Sequence, residues 1–408
     1  MTAACCAILT TAHAQRHEIF SDDIQSLQVI ANGNWLGMPV VTLGNGNLYI
    51  AFDDLTHEYR RYQYRIEHCE ADWTLSDELF PSDYVNGFAD TNPIDDVQES
   101  LLTNVLYTHY SLQLPNEHCQ IKMGGNYRLT VYDDNNDREP VLTACFMVVE
   151  PKMGLSLDVT TNTDLSINRS HQQVSMSLDY GGLPVTFPEQ QIKTVVLQNG
   201  RWDDARWCPR PQYTRADGLQ WTHNRDLIFD AGNEYRKFEI LSTDVASMGI
   251  EKIRWDGEEF HAYPFPSTPR PNYLYDEDAN GAFLIRNSDN IDADFTSDYM
   301  TVHFRLDVPG RLPGDVYLNA NWTLDRFLPQ YQMEYNEQQK AYEGAVRLKL
   351  GYYSYQYLML DADGHPHPVP SEGNFYQTEN NYQALVYYRE RGGRTDRLVG
   401  FAEVTKSR

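Results

Sequence analysis

The sequence predicts an all-β protein built from tandem immunoglobulin-like β-sandwich domains, and three observations predict it. Apolar residues recur at every second position in many short runs, the period of a strand with one buried face. Aromatic residues are plentiful, with 28 Tyr, 16 Phe and 7 Trp, and these side chains suit pleated, half-buried surfaces. No stretch carries the 3.6-residue period of a long amphipathic helix. At 408 residues the chain also exceeds the roughly 250–300 residues that one core can serve, so more than one domain is expected.

In the first third, Leu48, Ile50 and Phe52 share a face, as do Tyr62, Tyr64 and Ile66, then Leu106, Thr108, Tyr110, Leu112 and Leu114, then Tyr127, Leu129 and Val131. Asp133-Asp-Asn-Asn-Asp137 is turn chemistry, and a strand over 141–149 closes an N-terminal sandwich expected over 20–150. Runs at 174–178, 192–198 and 238–241, punctuated by Gly and Pro, predict a middle β-domain over 151–262. Pro264, Pro266, Pro269 and Pro271, followed by Asp292 and Asp294, predict a Pro-rich and acidic linker over 263–294, because proline withholds a donor and favours extended backbone. Met300, Val302, Phe304 and Leu306 alternate with Thr301, His303, Arg305 and Asp307. They open a C-terminal sandwich expected over 295–405, of the early-set, carbohydrate-binding-module-like kind, with later strands at 316–318, 342–350, 352–359 and 382–388. Grouping of these faces into domains about a Pro-rich joint disfavours a single transmembrane barrel.

The 33 Lys and Arg against 58 Asp and Glu leave a net charge of −25, a field that repels phosphate backbones, so nucleic acid is not an expected partner. No run of 18 apolar residues occurs, so no transmembrane segment is expected. Residues 1–14 end in Ala12-His13-Ala14, a small-x-small cleavage pattern without a basic leading region, and are expected to be a truncated signal peptide. In an exported chain, Cys69, Cys119, Cys145 and Cys208 allow three disulfide pairings, among which the sequence does not choose. Each sits singly in an alternating stretch, which favours a buried small hydrophobe over a bridge.

No catalytic, cofactor-binding or metal residue is assigned. Asp276-Glu-Asp278-Ala-Asn280-Gly281 begins like a calcium loop, but Asn287 stands where the bidentate Glu belongs, and Asn280-Gly281 reads as a turn. His365-Pro-His367 has ligand-like spacing, yet Pro366, Pro368 and Pro370 read as a solvated loop. The densest aromatic group is Tyr352, Tyr353, Tyr355 and Tyr357, with Trp322 before it. These five are the candidates for an interface or for stacking on a glycan, with core packing the favoured use.

A set of segments in a fixed order carries a resemblance. They are Tyr64-Arg-Ile-Glu-His-Cys-Glu-Ala-Asp-Trp73, Asn86-Gly-Phe88, Tyr107-Thr-His-Tyr110, Leu114-Pro-Asn116 and Gly125-Asn-Tyr127, then Gln198-Asn199, Gly232-Asn-Glu-Tyr-Arg236, Asn280-Gly281 and Asp298-Tyr299. Last come Leu348-Lys-Leu-Gly-Tyr-Tyr-Ser-Tyr-Gln-Tyr357, Thr378-Glu-Asn380 with Tyr382, and Tyr387-Tyr-Arg389. The chain resembles the plug-protein family of the type IX secretion system. The resemblance implies a periplasmic protein, associated with the outer membrane, that occludes the mouth of the outer-membrane translocon barrel and catalyses nothing. A carbohydrate-binding protein of the cell envelope is the alternative, and it would account only for residues after about 295.

Overall fold

A computed structural model describes residues 17–406, so the expected signal peptide at 1–14 lies outside the described residues. The chain is nearly all β, in tandem sandwiches. The first unit has an outer sheet of Ile24–Ala31, Leu48–Asp54, Thr108–Leu114 and Asp96–Glu99. Its inner sheet runs Glu18–Ile19, Glu139–Val149, Gly125–Asp133, Tyr62–Cys69 and Asn92–Pro93, with Val40–Thr42 lying parallel to Glu139–Val149. The alternating faces meet between these sheets: Leu48, Ile50 and Phe52 from one side, Tyr62, Tyr64, Ile66, Tyr127, Leu129 and Val131 from the other. Leu106 departs from its expected face. The strand starts at Thr108, and Leu106 stays exposed.

The middle unit differs from the sequence expectation. Its outer sheet is Gly154–Thr160, His171–Asp179, Gly218–Trp221 and Tyr213–Thr214, with Ile228–Asp230 on His171–Asp179. Its inner sheet is Arg206–Trp207, Ile192–Gln198, Asn381–Tyr388 and Arg397–Thr405. Residues 381–405, assigned from sequence to the third segment, therefore pair with Ile192–Gln198 of the second. Conversely, Arg236–Ile240, Ile250–Trp255 and Phe260–Pro264, assigned to the middle domain, join the third sheet. The physical reason is that an apolar antiparallel strand fits any edge of the right length and depth, so its partner is set by what remains unpaired in three dimensions.

The third unit folds one long sheet back upon itself, in the order Arg236–Ile240, Gly351–Leu360, Asp315–Asn319, Gln332–Asn336, Ala341–Lys349, Tyr299–Asp307, Phe260–Pro264 and Ile250–Trp255. The residues expected at 263–294 as a linker are packed against it. Ser267 donates to and accepts from the edge of Tyr299–Asp307 (Ser267 N to Arg305 O 2.8 Å, Asp307 N to Ser267 O 2.9 Å), and Phe283–Ile285 pairs with Gly351–Leu360. Proline imposes the same extended backbone on a strap as on a free linker.

Among the described residues, four sheets of the first two units stack through three apolar layers. Leu142, Ala144, Phe146 and Val148 face the first core, whereas Cys145, Met147 and Val149 of the same strand face outward into a seam. Val195, Leu197, Leu385, Tyr387 and Leu398 of the middle unit meet them there, while Val196, Tyr382, Ala384 and Val386 turn to the middle core. Glu139–Val149, Ile192–Gln198 and Asn381–Tyr388 are thus buried on both faces. Cys69, Cys119 and Cys145 are buried as small apolar groups and Cys208 is exposed. Burial pushes the Cys69 thiol up to about 12 and that of Cys119 to about 11.

Leu385 is fully buried in the seam, so Leu385→Ala should lower the unfolding free energy by about 2–5 kcal/mol, the range for a buried Leu truncated to Ala. Urea denaturation followed by intrinsic fluorescence checks it; a value under about 1 kcal/mol, the scale of a surface change, would contradict a dry seam.

Candidate interaction surface

The five aromatic candidates do not form a surface. Tyr353, Tyr355, Tyr357 and Trp322 lie in the core of the third unit, where Tyr353 stacks on Phe238 (centroids 5.4 Å apart) and Trp322 donates its indole N–H to Ser354 O at 3.1 Å. No sugar ring reaches them, which corrects the glycan-stacking expectation for these four. Tyr352, on the opposite face of the strand, is half-buried against Trp35 of the first unit (5.9 Å, edge-on). It belongs to the contact between units.

Most of the segments that carry the resemblance fall instead at the places where the units lock together, although Asn86-Gly-Phe88 and Leu114-Pro-Asn116 lie within the first unit. The first lock joins the first and middle units. Glu70 accepts from Arg389 Nη2 at 2.6 Å, from Asp396 N at 2.8 Å and from Thr395 Oγ1 at 2.9 Å. Asn126 accepts from the Tyr387 hydroxyl at 2.8 Å and donates to Glu70 O at 2.9 Å. Trp73 meets Trp202 edge-on at 5.5 Å. His68 sits behind them, and burial brings its pKa down to about 4. The neutral ring then has one donor; since a carbonyl only accepts, Nε2 carries the proton toward Gly124 O (3.3 Å) and Nδ1 accepts from Ser76 Oγ (2.8 Å). Gly125 has to be glycine here: at φ +157°, an added Cβ would fall 2.1 Å from His68 Nε2.

The second lock joins the first and third units through a buried charge. In the outer sheet Asp53 pairs across strands with His109, and in the third unit Tyr299 pairs across strands with Lys349. The two pairs face each other. Asp53 accepts from Lys349 Nζ at 2.6 Å, from the Tyr299 hydroxyl at 2.6 Å and makes a 2.7 Å contact with His109 Nδ1. Both Asp53 and Lys349 side chains are only 1% exposed. Lys349 also donates to Asp294 O and lies 4.2 Å from the Tyr107 ring centroid, so its charge is met on every side. Burial alone would raise the Asp53 carboxyl, but the Lys349 ammonium and His109 outweigh it and hold it below its ordinary value. Burial likewise lowers Lys349, with Asp53 pulling it back up.

A third lock closes where the chain leaves the middle unit and returns to it. Gln172 donates to Thr378 O and Tyr376 O and accepts from Asn380 and Tyr382; Asn199 donates to Asn380 Oδ1. Glu372, returning from the third unit, accepts from Arg236 (2.7 Å) and Arg270.

These locks position an exposed apolar tip. Between Asp96–Glu99 and Thr108–Leu114 the chain turns through Leu101, Leu102 and Leu106, which are 54%, 103% and 49% exposed. The Asp298 carboxylate of the third unit fastens the turn from beneath, accepting from Asn104 N and Nδ2 (both 2.7 Å) and from Val105 N (3.0 Å). Leu101 N donates to Phe295 O at 2.8 Å, and the Tyr107 hydroxyl to Ser297 O at 2.8 Å. Leu102 takes φ +60°, a region that costs a non-glycine residue about 1–3 kcal/mol unless its surroundings hold it. Beside the tip, Tyr59, Val97, Leu101 and Phe295 line a shallow concavity. Sequence reading placed Leu106 in a strand and did not single out Leu101 or Leu102. The adjacent Leu101-Leu102 pair, out of phase with any alternation, was the available signal.

Residues 24–150 match the family described as Type 9 secretion system plug protein 1st domain. A crystal structure of a hypothetical protein from Parabacteroides merdae ATCC 43184 is 39% identical to this chain, covers 96% of it and 99% of its own length, and superposes with a TM-score of 0.92. No curated protein matches the chain.

Removing one partner of a buried ion pair leaves the other charge uncompensated, so Lys349→Met should destabilise by about 3–5 kcal/mol, and the double variant Asp53→Asn/Lys349→Met should recover much of that loss. The Asp53 contribution is present above the ordinary carboxyl value of 3.8 and is lost as pH falls toward its lower folded value. Asp53→Asn should therefore flatten the acid limb of stability against pH below about 4. Denaturant midpoints measured from acid to neutral pH check both outcomes.

Proposed function

Residues 24–150 match the first domain of the type 9 secretion system plug proteins, and from that premise we propose that the chain is a non-enzymatic plug. It binds the periplasmic opening of the outer-membrane translocon barrel of the type IX secretion system and seals the pore while no carrier or substrate is engaged. The observation that carries this reading is the leucine tip at 101–106, an apolar contact offered to solvent on a backbone held by Asp298. Binding energy concentrates in a few well-placed anchors, and anchors ordered beforehand lose less conformational freedom on docking. A seal also has to resist deformation, and three locks between units meet that need. The net charge of −25 keeps such a body dispersed in water.

The glycan-binding alternative draws no support from the aromatic strand, whose rings are interior. Leu102→Glu separates contact from folding, because a fully exposed side chain is replaced. Wild-type protein should recover the translocon barrel from detergent-solubilised envelope. Leu102→Glu with Leu106→Glu should keep the wild-type melting temperature and lose recovery by about tenfold or more, as expected for interface anchors worth 1.4 kcal/mol or above. Equal recovery would remove the tip from the contact, and absence of the barrel from the wild-type eluate would sink the plug reading.

A further inference from the structure

The turn after Gly351–Leu360 gathers side chains that none of the locks uses. Asp361 Oδ1 accepts from the backbone N–H groups of Asp363 and His365, each at 2.9 Å, which fixes the carboxylate. Its other oxygen, Oδ2, lies 3.1 Å from His367 Nε2 and 3.7 Å from His365 Nδ1. One donor atom each from Asp361, Asp363 and His365 lies within 4.8 Å of the others. His367 pairs across strands with Met359, and His365 lies in the turn just before that short strand. From the middle unit, Asp230 Oδ2 lies 4.0 Å from His367 Nδ1. Asp230 is itself held by Asn374 Nδ2 at 2.7 Å.

We propose that Asp361, Asp363 and His365 form a site for a divalent transition metal of the Zn2+ type, with the remaining position left to water. Tetrahedral zinc with bonds of about 2.0–2.2 Å needs donor atoms about 3.3 Å apart, and the 3.7 Å between Asp361 Oδ2 and His365 Nδ1 is close to that edge. Imidazole ligands select against Ca2+ and Mg2+, which take oxygen cages. Two carboxylates balance the ion's charge, and the acidic chain as a whole concentrates cations. His367 Nε2, 3.1 Å from Asp361 Oδ2, supplies an outer contact that orients the ligating carboxylate. The sequence showed the two histidines; the hairpin brought Asp361 and Asp363 to them.

Titration of untagged, chelator-treated full-length protein with zinc sulfate in a calorimeter tests the site. The expected result is binding at one equivalent, unaffected by excess Ca2+, with a rise in the thermal midpoint on saturation. His365→Ala and Asp361→Asn should each weaken binding by about tenfold or more, while His118→Ala, an exposed histidine elsewhere, should leave it unchanged. His365 is 73% exposed, so His365→Ala decides the matter even if Asp361→Asn disturbs the turn. No heat of binding, or binding that survives both substitutions, would overturn the proposal.

Discussion

The whole molecule depends on a seam in which three strands, Glu139–Val149, Ile192–Gln198 and Asn381–Tyr388, have no solvent face. A strand of an ordinary sandwich has its register set by which side chains must avoid water, since a slip of one residue exchanges its two faces. Glu139–Val149 lacks that discipline, because Leu142, Ala144, Phe146 and Val148 on one side and Cys145, Met147 and Val149 on the other are all apolar. The polar groups at the rim of the seam supply what hydrophobicity cannot. Asn126 reaching Tyr387, and Glu70 gripping Arg389 and the Asp396 amide, are satisfied only in one alignment, and a buried polar group left unsatisfied is costly.

The charge lock between the first and third units follows the same logic by other means. A buried ion pair contributes little net stability relative to a well-packed apolar pair, because desolvation offsets the attraction. What Asp53 and Lys349 contribute is direction: three donors converge on one carboxylate, and a small rotation of one unit would break several bonds at once. The turn at 101–106 inherits that orientation, since Asp298 immediately precedes Tyr299, the first residue of its strand.

Much of this was legible in the sequence wherever one face of a strand is dry and the other wet. Tyr62, Tyr64 and Ile66, or Met300, Val302, Phe304 and Leu306, could be read at sight. The strands of the seam were legible as unbroken apolar runs, such as Val195-Leu197 and Ala384-Val386, but such a run states its depth and not its neighbour. So the pattern of 381–405 points to the strands just before it in the chain, whereas its partner is Ile192–Gln198. The tyrosines of 353–357 were read correctly as one face, and alternation says nothing of how far inside that face lies. The locks were visible only as isolated polar residues, Asp53, Asn126 and Lys349, whose partners stand far away along the chain.

The middle sandwich is interrupted: the chain builds half of it, departs at Asp230 to make the third unit, and comes back at Asn381 to finish. A polypeptide made from its N-terminus can complete the first unit early, yet the edge of Ile192–Gln198 stays open until residues 382–388 have emerged. Distant pairings of this kind form slowly, and an open apolar edge is the surface that chaperones and proteases recognise. A chain cut short before Asn381 would leave that apolar edge without its partner strand.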